Sequence, residues 1–162
     1  MPDRIADVAI RHCRADDLAA VLSIHARQGN RAEGPPTDIE SATWGLMMDR
    51  AGLAVYLAER RGRPIGTASM MLLPNLTYGC APTAFIEGVV VLADSRRLGV
   101  ATAMLRTALS DAARAGVDKV QLVAHKRHAT DGAHALYEGL GFEPEAEGFR
   151  LYLKTPDVDR TR

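Results

Sequence analysis

The 162-residue sequence predicts an α/β fold: a mixed sheet of about seven strands flanked by about four helices, in a single domain spanning 1–162. Three observations predict it. Short apolar, β-branched runs alternate with segments of helical spacing along the chain. The run 84–92 passes through a polar turn into a helix at Val100, and a further strand pattern follows at 119–125, which makes a right-handed unit of two parallel strands and a crossover helix. The strand-like runs 53–59 and 65–73, joined by Arg60-Arg61-Gly62-Arg63-Pro64, form an antiparallel hairpin, so the sheet is mixed.

Taken in order, Val8 to Arg14 alternates as a strand, and Ala15-Asp16-Asp17 opens a helix whose Leu18, Val21 and Leu22 share a face that His25 can join. Residues 28–36 are too rich in Gly, Pro and polar side chains to continue that helix and read as a loop. Thr37 or Asp38 can cap a second helix to about Arg50, which contains Trp44. After the hairpin, the loop 74–83 is longer than topology demands. In the helix after Val100, Ala101, Met104, Leu105, Ala108, Leu109 and Ala112 form one apolar stripe, and Gly116 caps its end. Asp131 to Leu140 reads as the last helix with Gly141 as its cap, Phe149 to Lys154 as the last strand, and 155–162 as a frayed tail.

Composition excludes several functions. Lys plus Arg equals Asp plus Glu at 20 each, so no overall basic field points to nucleic acid or an anionic membrane surface. No apolar run approaches the roughly 20 residues of a membrane span. The N-terminus carries no signal-peptide pattern, and a cytoplasmic location is the expectation. Cys13 and Cys80 suit neither a disulfide framework nor a Cys-x-x-Cys motif, and both are expected to be reduced and structural. His125, His128 and His134 lie close together in sequence, but their spacings fit no zinc motif and no cysteine is near, so no metal is expected.

The turn between the central strand and its helix carries the chemistry. The first turn of a helix offers free backbone N–H groups and the positive end of the macrodipole, and Gly99 lets a bulky anion approach them. Arg96-Arg97-Leu98-Gly99-Val100-Ala101 resembles the acetyl-CoA signature of the GNAT superfamily of N-acetyltransferases, Gln/Arg-x-x-Gly-x-Gly/Ala. The preceding strand Ile86-Glu87-Gly88-Val89-Val90-Val91 and the segment Ala133-His134-Ala135-Leu136-Tyr137-Glu138-Gly139-Leu140-Gly141-Phe142 resemble the family's motifs in order and spacing.

The resemblance implies transfer of an acetyl group from acetyl-CoA to a primary amine by direct attack, without a metal. It places the pyrophosphate on the amides of Arg97, Leu98, Gly99, Val100, Ala101 and Thr102, with Arg96 or Arg97 adding charge. It lays the pantetheine arm along Val89, Val90 and Val91, where the strand splays from its parallel neighbour. Many members carry an Asn seven residues before the tyrosine; here Thr130 stands in its place. Glu87 is similar to the family's general base; the alternative is a hydrogen-bonded structural carboxylate, since a charge in an apolar strand needs a cleft or partners. Tyr137 is similar to the family's tyrosine that meets the departing thiolate; the alternative is a core aromatic. Trp44, Tyr78 and His125 are candidate contacts to the acceptor, expected to be a small-molecule amine, and a homodimer is compatible with the family. A non-catalytic acyl-CoA-binding or sensing domain is the competing function; the presence of both Glu87 and Tyr137 argues against it.

Overall fold

The computed structural model describes residues 7–125, 132–149, 151 and 153. Contacts divide the chain into two compact units, Met1–Leu122 and Val123–Arg162. The first holds a five-stranded sheet in the order β1 (Val8–His12), β2 (Leu53–Arg60), β3 (Arg63–Leu73), β4 (Thr83–Val91), β5 (Lys119–Leu122). Neighbours are antiparallel from β1 to β4, and β5 runs parallel to β4. Three helices accompany it: α1 (Leu18–Arg27), α2 (Asp38–Asp49) and α3 (Val100–Arg114).

Helices on both faces explain why β2 and β3 read as continuous apolar runs. Residues 55–58 and 65–68 are buried without interruption, because side chains alternate between two covered faces. On one face Val55 and Leu57 join Val21 and Ile24 of α1 and Trp44 of α2. On the other, Ala58, Ile65 and Ala68 meet Val100 and Met104 of α3. The stripe on α3 is buried at Met104, Leu105, Ala108 and Ala112, as its spacing requires. Thr37 caps α2: its Oγ1 accepts from the Glu40 amide while the Glu40 carboxylate accepts from the Thr37 amide at 2.8 Å.

Two hydrogen-bonded ion clusters, each centred on a largely buried aspartate, tie helices to sheet. Arg11 on β1 grips Asp17 through two bonds, Nη1 to Oδ2 at 2.7 Å and Nη2 to Oδ1 at 2.8 Å, and donates Nε to Glu59 of β2. On α3, Asp111 accepts from the Tyr56 hydroxyl at 2.9 Å, contacts His12 Nε2 at 2.6 Å and pairs with Arg114. The Arg11 hydrogen bonds hold the Asp17 carboxyl below the usual carboxylate range; at Asp111 burial pushes upward, but the bonds from His12 and Tyr56 outweigh it. A carboxyl held below its unfolded value binds fewer protons in the native state. Its stabilisation is therefore present above about pH 4 and is lost as pH falls through the native pKa. Urea midpoints should accordingly be level near neutrality and fall on acidification below about pH 4. Asp111→Ala, which strips the fully buried Tyr56 of its acceptor, should cost about 1–3 kcal/mol at pH 7 and reduce that acid dependence.

The second unit contains α4 (Ala133–Glu138). The Gly141 amide donates to the Glu138 carbonyl and the Phe142 amide to the Tyr137 carbonyl, the paired bonds of a Schellman close. Two expectations change. The sheet has five strands among the described residues rather than about seven, and β5 ends at Leu122 instead of His125. A strand exists only where a neighbour supplies its ladder; Phe149, Leu151 and Leu153 alternate correctly but are 92%, 84% and 90% exposed and carry no strand assignment. The other residues assigned to that strand, Arg150, Tyr152 and Lys154, lie outside the described residues, as do Asp131 and the segment 155–162. No helix among the described residues is long and apolar enough to cross a membrane.

Candidate functional site

The site is built where β4 outruns its parallel neighbour. Pairing with β5 spans only Thr83↔Lys119 to Ile86↔Leu122, so from Glu87 onward β4 continues without β5 beside it. On the other side the register against β3 shifts: Thr67 faces Val90 and Ser69 faces Glu87, so two residues, Gly88 and Val89, oppose one, Ala68. Gly88 takes φ 61, the left-handed conformation such a bulge uses, and a Cβ there would meet open space. The bulge twists the strand just after Glu87. Ser69 Oγ donates to the Glu87 carbonyl at 3.2 Å. The Glu87 side chain is exposed, so water solvates it and it needs no buried partner.

The half-buried Val89, Val90 and Val91 lead into the turn. The Val91 carbonyl accepts from Arg96 Nε at 3.2 Å and from Gln28 Nε2 at 3.4 Å, while Arg96 Nη2 donates to Gln28 Oε1 at 2.8 Å. The Arg96 guanidinium is thus folded back on the strand end. Gln28, just past α1, was not singled out from the sequence, and nothing in its local pattern signals this bond. A 3-10 turn, Ala93–Ser95, follows, with Asp94 tied to Arg63 at 2.7 Å, and that guanidinium holds its carboxyl low.

Arg97 at φ 60 and Gly99 at φ 81 then reverse the backbone into α3. Leu98 packs with the α3-side core and Val100 is buried, so the turn is anchored from below. Among the described residues no side chain caps α3, and no acidic residue sits in its first turn. The Ala103 amide is bonded to the Gly99 carbonyl at 2.9 Å, which leaves the amides of Val100, Ala101 and Thr102 ahead of the helical ladder. An uncapped, positively polarised helix start with a glycine at its mouth fits a bound pyrophosphate.

Beside the bulge lies a cleft of about 260 Å³ between α1, α2 and the sheet, reaching Gly88. Trp44 lines it, with its indole N–H fixed on the Ala15 carbonyl at 2.9 Å. His25 lines it too, and burial lowers its pKa, so the ring stays neutral near pH 7. Its place on the apolar face of α1 was the signal for it in the sequence. Tyr78 is not among the lining residues: it sits in a turn of left-handed backbone, with Lys119 Nζ 5.3 Å from its ring centroid. Cys13 is half-buried and its thiol is pushed up to about 12, chiefly by burial, whereas Cys80 is exposed in the Tyr78 turn.

Of the remaining candidates, His125 is exposed and lies beyond the end of β5, and Thr130 is outside the described residues. Tyr137 is half-buried on α4, edge-on to Phe142 at 6.0 Å between centroids. Glu87 belongs to the first unit and Tyr137 to the second. No three His, Cys, Asp or Glu side chains among the described residues come together as a metal site.

Comparison with known proteins agrees with this geometry. The profile of the Acetyltransferase (GNAT) family matches residues 9–142. A curated relative, glucosamine 6-phosphate N-acetyltransferase of Trypanosoma brucei brucei, is 30% identical over 152 residues, 92% of this chain and 98% of that protein. A solved structure of a transcriptional regulator from Bacillus halodurans C-125 superposes with a TM-score of 0.81 at 25% identity, covering 90% of this chain and 99% of that one. The aminoglycoside N-acetyltransferase AAC(6')-Iy, solved in complex with CoA, shares the fold with a TM-score of 0.73 at 23% identity, over 91% and 94% of the two chains.

Proposed function

The chain belongs to the GNAT acetyltransferase family, whose members use acetyl-CoA, and from that premise we propose that it acetylates a small primary amine by direct attack in a ternary complex. The observation that carries the reading is the continuous run of an open strand edge, a bulge and an uncapped helix start along residues 87–102.

Acetyl-CoA supplies the activated acetyl thioester when bound. The amides of residues 97–102 hold its pyrophosphate at the start of α3, where the helix dipole favours negative charge. The backbone of Val89, Val90 and Val91, no longer paired with β5, receives the pantetheine amides as an added strand would. Arg96 holds the end of β4 in place through the Val91 carbonyl rather than gripping phosphate directly. Glu87 takes the proton from the acceptor ammonium, directly or through water, so that the amine lone pair can attack. The Val89 amide donates to the carbonyl oxygen under attack as charge develops there. As the C–S bond breaks, the nitrogen now bonded to the acetyl carbon loses its second proton to solvent, and the Tyr137 hydroxyl gives its proton to the leaving sulfur and recovers one from solvent. Thr130 is retained as a contact for the cofactor arm.

Thiol release from acetyl-CoA with an amine panel tests the reaction, and calorimetry of acetyl-CoA tests the cradle separately. Tyr137→Phe should lower kcat by about tenfold or more, the scale of a lost general acid, with little change in acetyl-CoA affinity. An unchanged kcat would remove Tyr137 from the chemistry.

A further inference from the structure

The cleft beside the bulge reports on the acceptor. Its wall is built from Leu18 and Val21 of α1, Trp44 and Met47 of α2, and Val55 of β2, and it reaches Gly88, the residue after Glu87. Among the described residues, no lysine or arginine lines it. Glu40, the one carboxylate among the described lining residues, is already engaged: it accepts from the Thr37 amide and from Arg31, Nε to Oε1 at 2.8 Å and Nη2 to Oε2 at 3.1 Å. Two of its hydroxyls are committed as donors, Thr67 to the Tyr56 carbonyl at 2.9 Å and Ser69 to the Glu87 carbonyl at 3.2 Å.

We propose that the acceptor is a primary amine on a compact apolar body, aromatic or branched aliphatic, seated against Trp44 with its nitrogen directed to the Gly88 end of the cleft. The inference rests on the acetyltransferase reading and sharpens it. Apolar walls repay the burial of hydrocarbon in proportion to the area removed from water. A sugar hydroxyl entering the same space gives up water for few new partners, and a phosphate finds no cation among the described lining residues to neutralise it. The sugar phosphate in the Trypanosoma relative's name is therefore a poor match for this wall. At about 260 Å³ the cleft also lies below the usual range for drug-sized ligands, which selects a small body over an aminoglycoside.

The test is a thiol-release assay of the full chain with acetyl-CoA and two groups of amines. Phenethylamine, tryptamine and isoamylamine form one; glucosamine 6-phosphate, glucosamine, spermidine and kanamycin form the other. The best apolar amine should exceed every hydrophilic one in kcat/KM by about 100-fold, the scale on which a pocket rejects groups it cannot partner. A hydrophilic amine that equals or exceeds it overturns the acceptor class while leaving the transferase reading intact. Turnover of no amine by protein that binds acetyl-CoA overturns both. Thr43→Trp fills the cleft from an exposed position on α2 and should leave the circular dichroism spectrum unchanged. It should raise KM for the apolar amine about tenfold and leave KM for acetyl-CoA unaltered; an unaltered amine KM overturns the placement.

Discussion

Gly99→Glu should abolish acetyl-CoA binding, with calorimetric affinity reduced at least about 100-fold, or roughly 2.7 kcal/mol. The substitution acts at the mouth of the uncapped helix. Gly99 holds φ 81, where an L side chain costs roughly 1–2 kcal/mol, and a carboxylate near the helix start regains about 0.3–1 kcal/mol from the dipole. The fold should therefore survive. The carboxylate competes for the amides proposed to hold the pyrophosphate and repels an incoming anion, and like charges brought together at an interface cost several kcal/mol. Gly99→Asn separates charge from strain: asparagine tolerates left-handed backbone and carries no charge, so its affinity should fall less than about tenfold. Equal losses in both variants would assign the effect to backbone strain. Undiminished affinity in Gly99→Glu would remove the pyrophosphate from this turn.

The parts of the fold set by local rules were legible in the residues. The apolar stripe on α3, the cap at Thr37, one of the two residues offered for it, and the Gly141 close each depend on residues within about one turn of one another, and each stands where its pattern allowed it. The length of β5 was not legible, because Val123 has a strand-forming side chain but the ladder depends on what lies alongside. The same limit applies to Phe149, Leu151 and Leu153, whose alternation specifies a face without specifying a partner. Within the candidate site, the residues of the turn pointed to the free amides of the first helical turn, whereas the bulge at Gly88 comes from the strand register. Side-chain direction was the missing information. Arg96, one of the two arginines expected to add charge beside the pyrophosphate, bonds the Val91 carbonyl and Gln28, 68 residues away. Tyr78 reads as pocket aromatic but stands in left-handed backbone under Lys119, while His25, on the apolar face of α1, lines the cleft.

The position of Glu87 makes a sharper expectation than its identity alone. Glu87→Gln preserves shape and hydrogen bonding but cannot accept a proton, so kcat should fall about 100-fold or more while acetyl-CoA affinity stays the same. The side chain is exposed, and the bond to its residue from Ser69 is made to the backbone carbonyl, which the substitution keeps. Little structural damage is therefore expected, and unfolding in urea should match that of the parent. Acceptor basicity separates proton removal from a passive role. A strongly basic amine arrives as the ammonium and needs a base; an amine of low pKa arrives with its lone pair free. The ratio of parent to variant kcat should therefore shrink steadily across a series of acceptors of similar shape and falling basicity. It should also shrink for any one acceptor as the pH rises past that amine's own pKa. A ratio constant across the series would mean that Glu87 positions the acceptor or shapes the bulge, and that another group removes the proton.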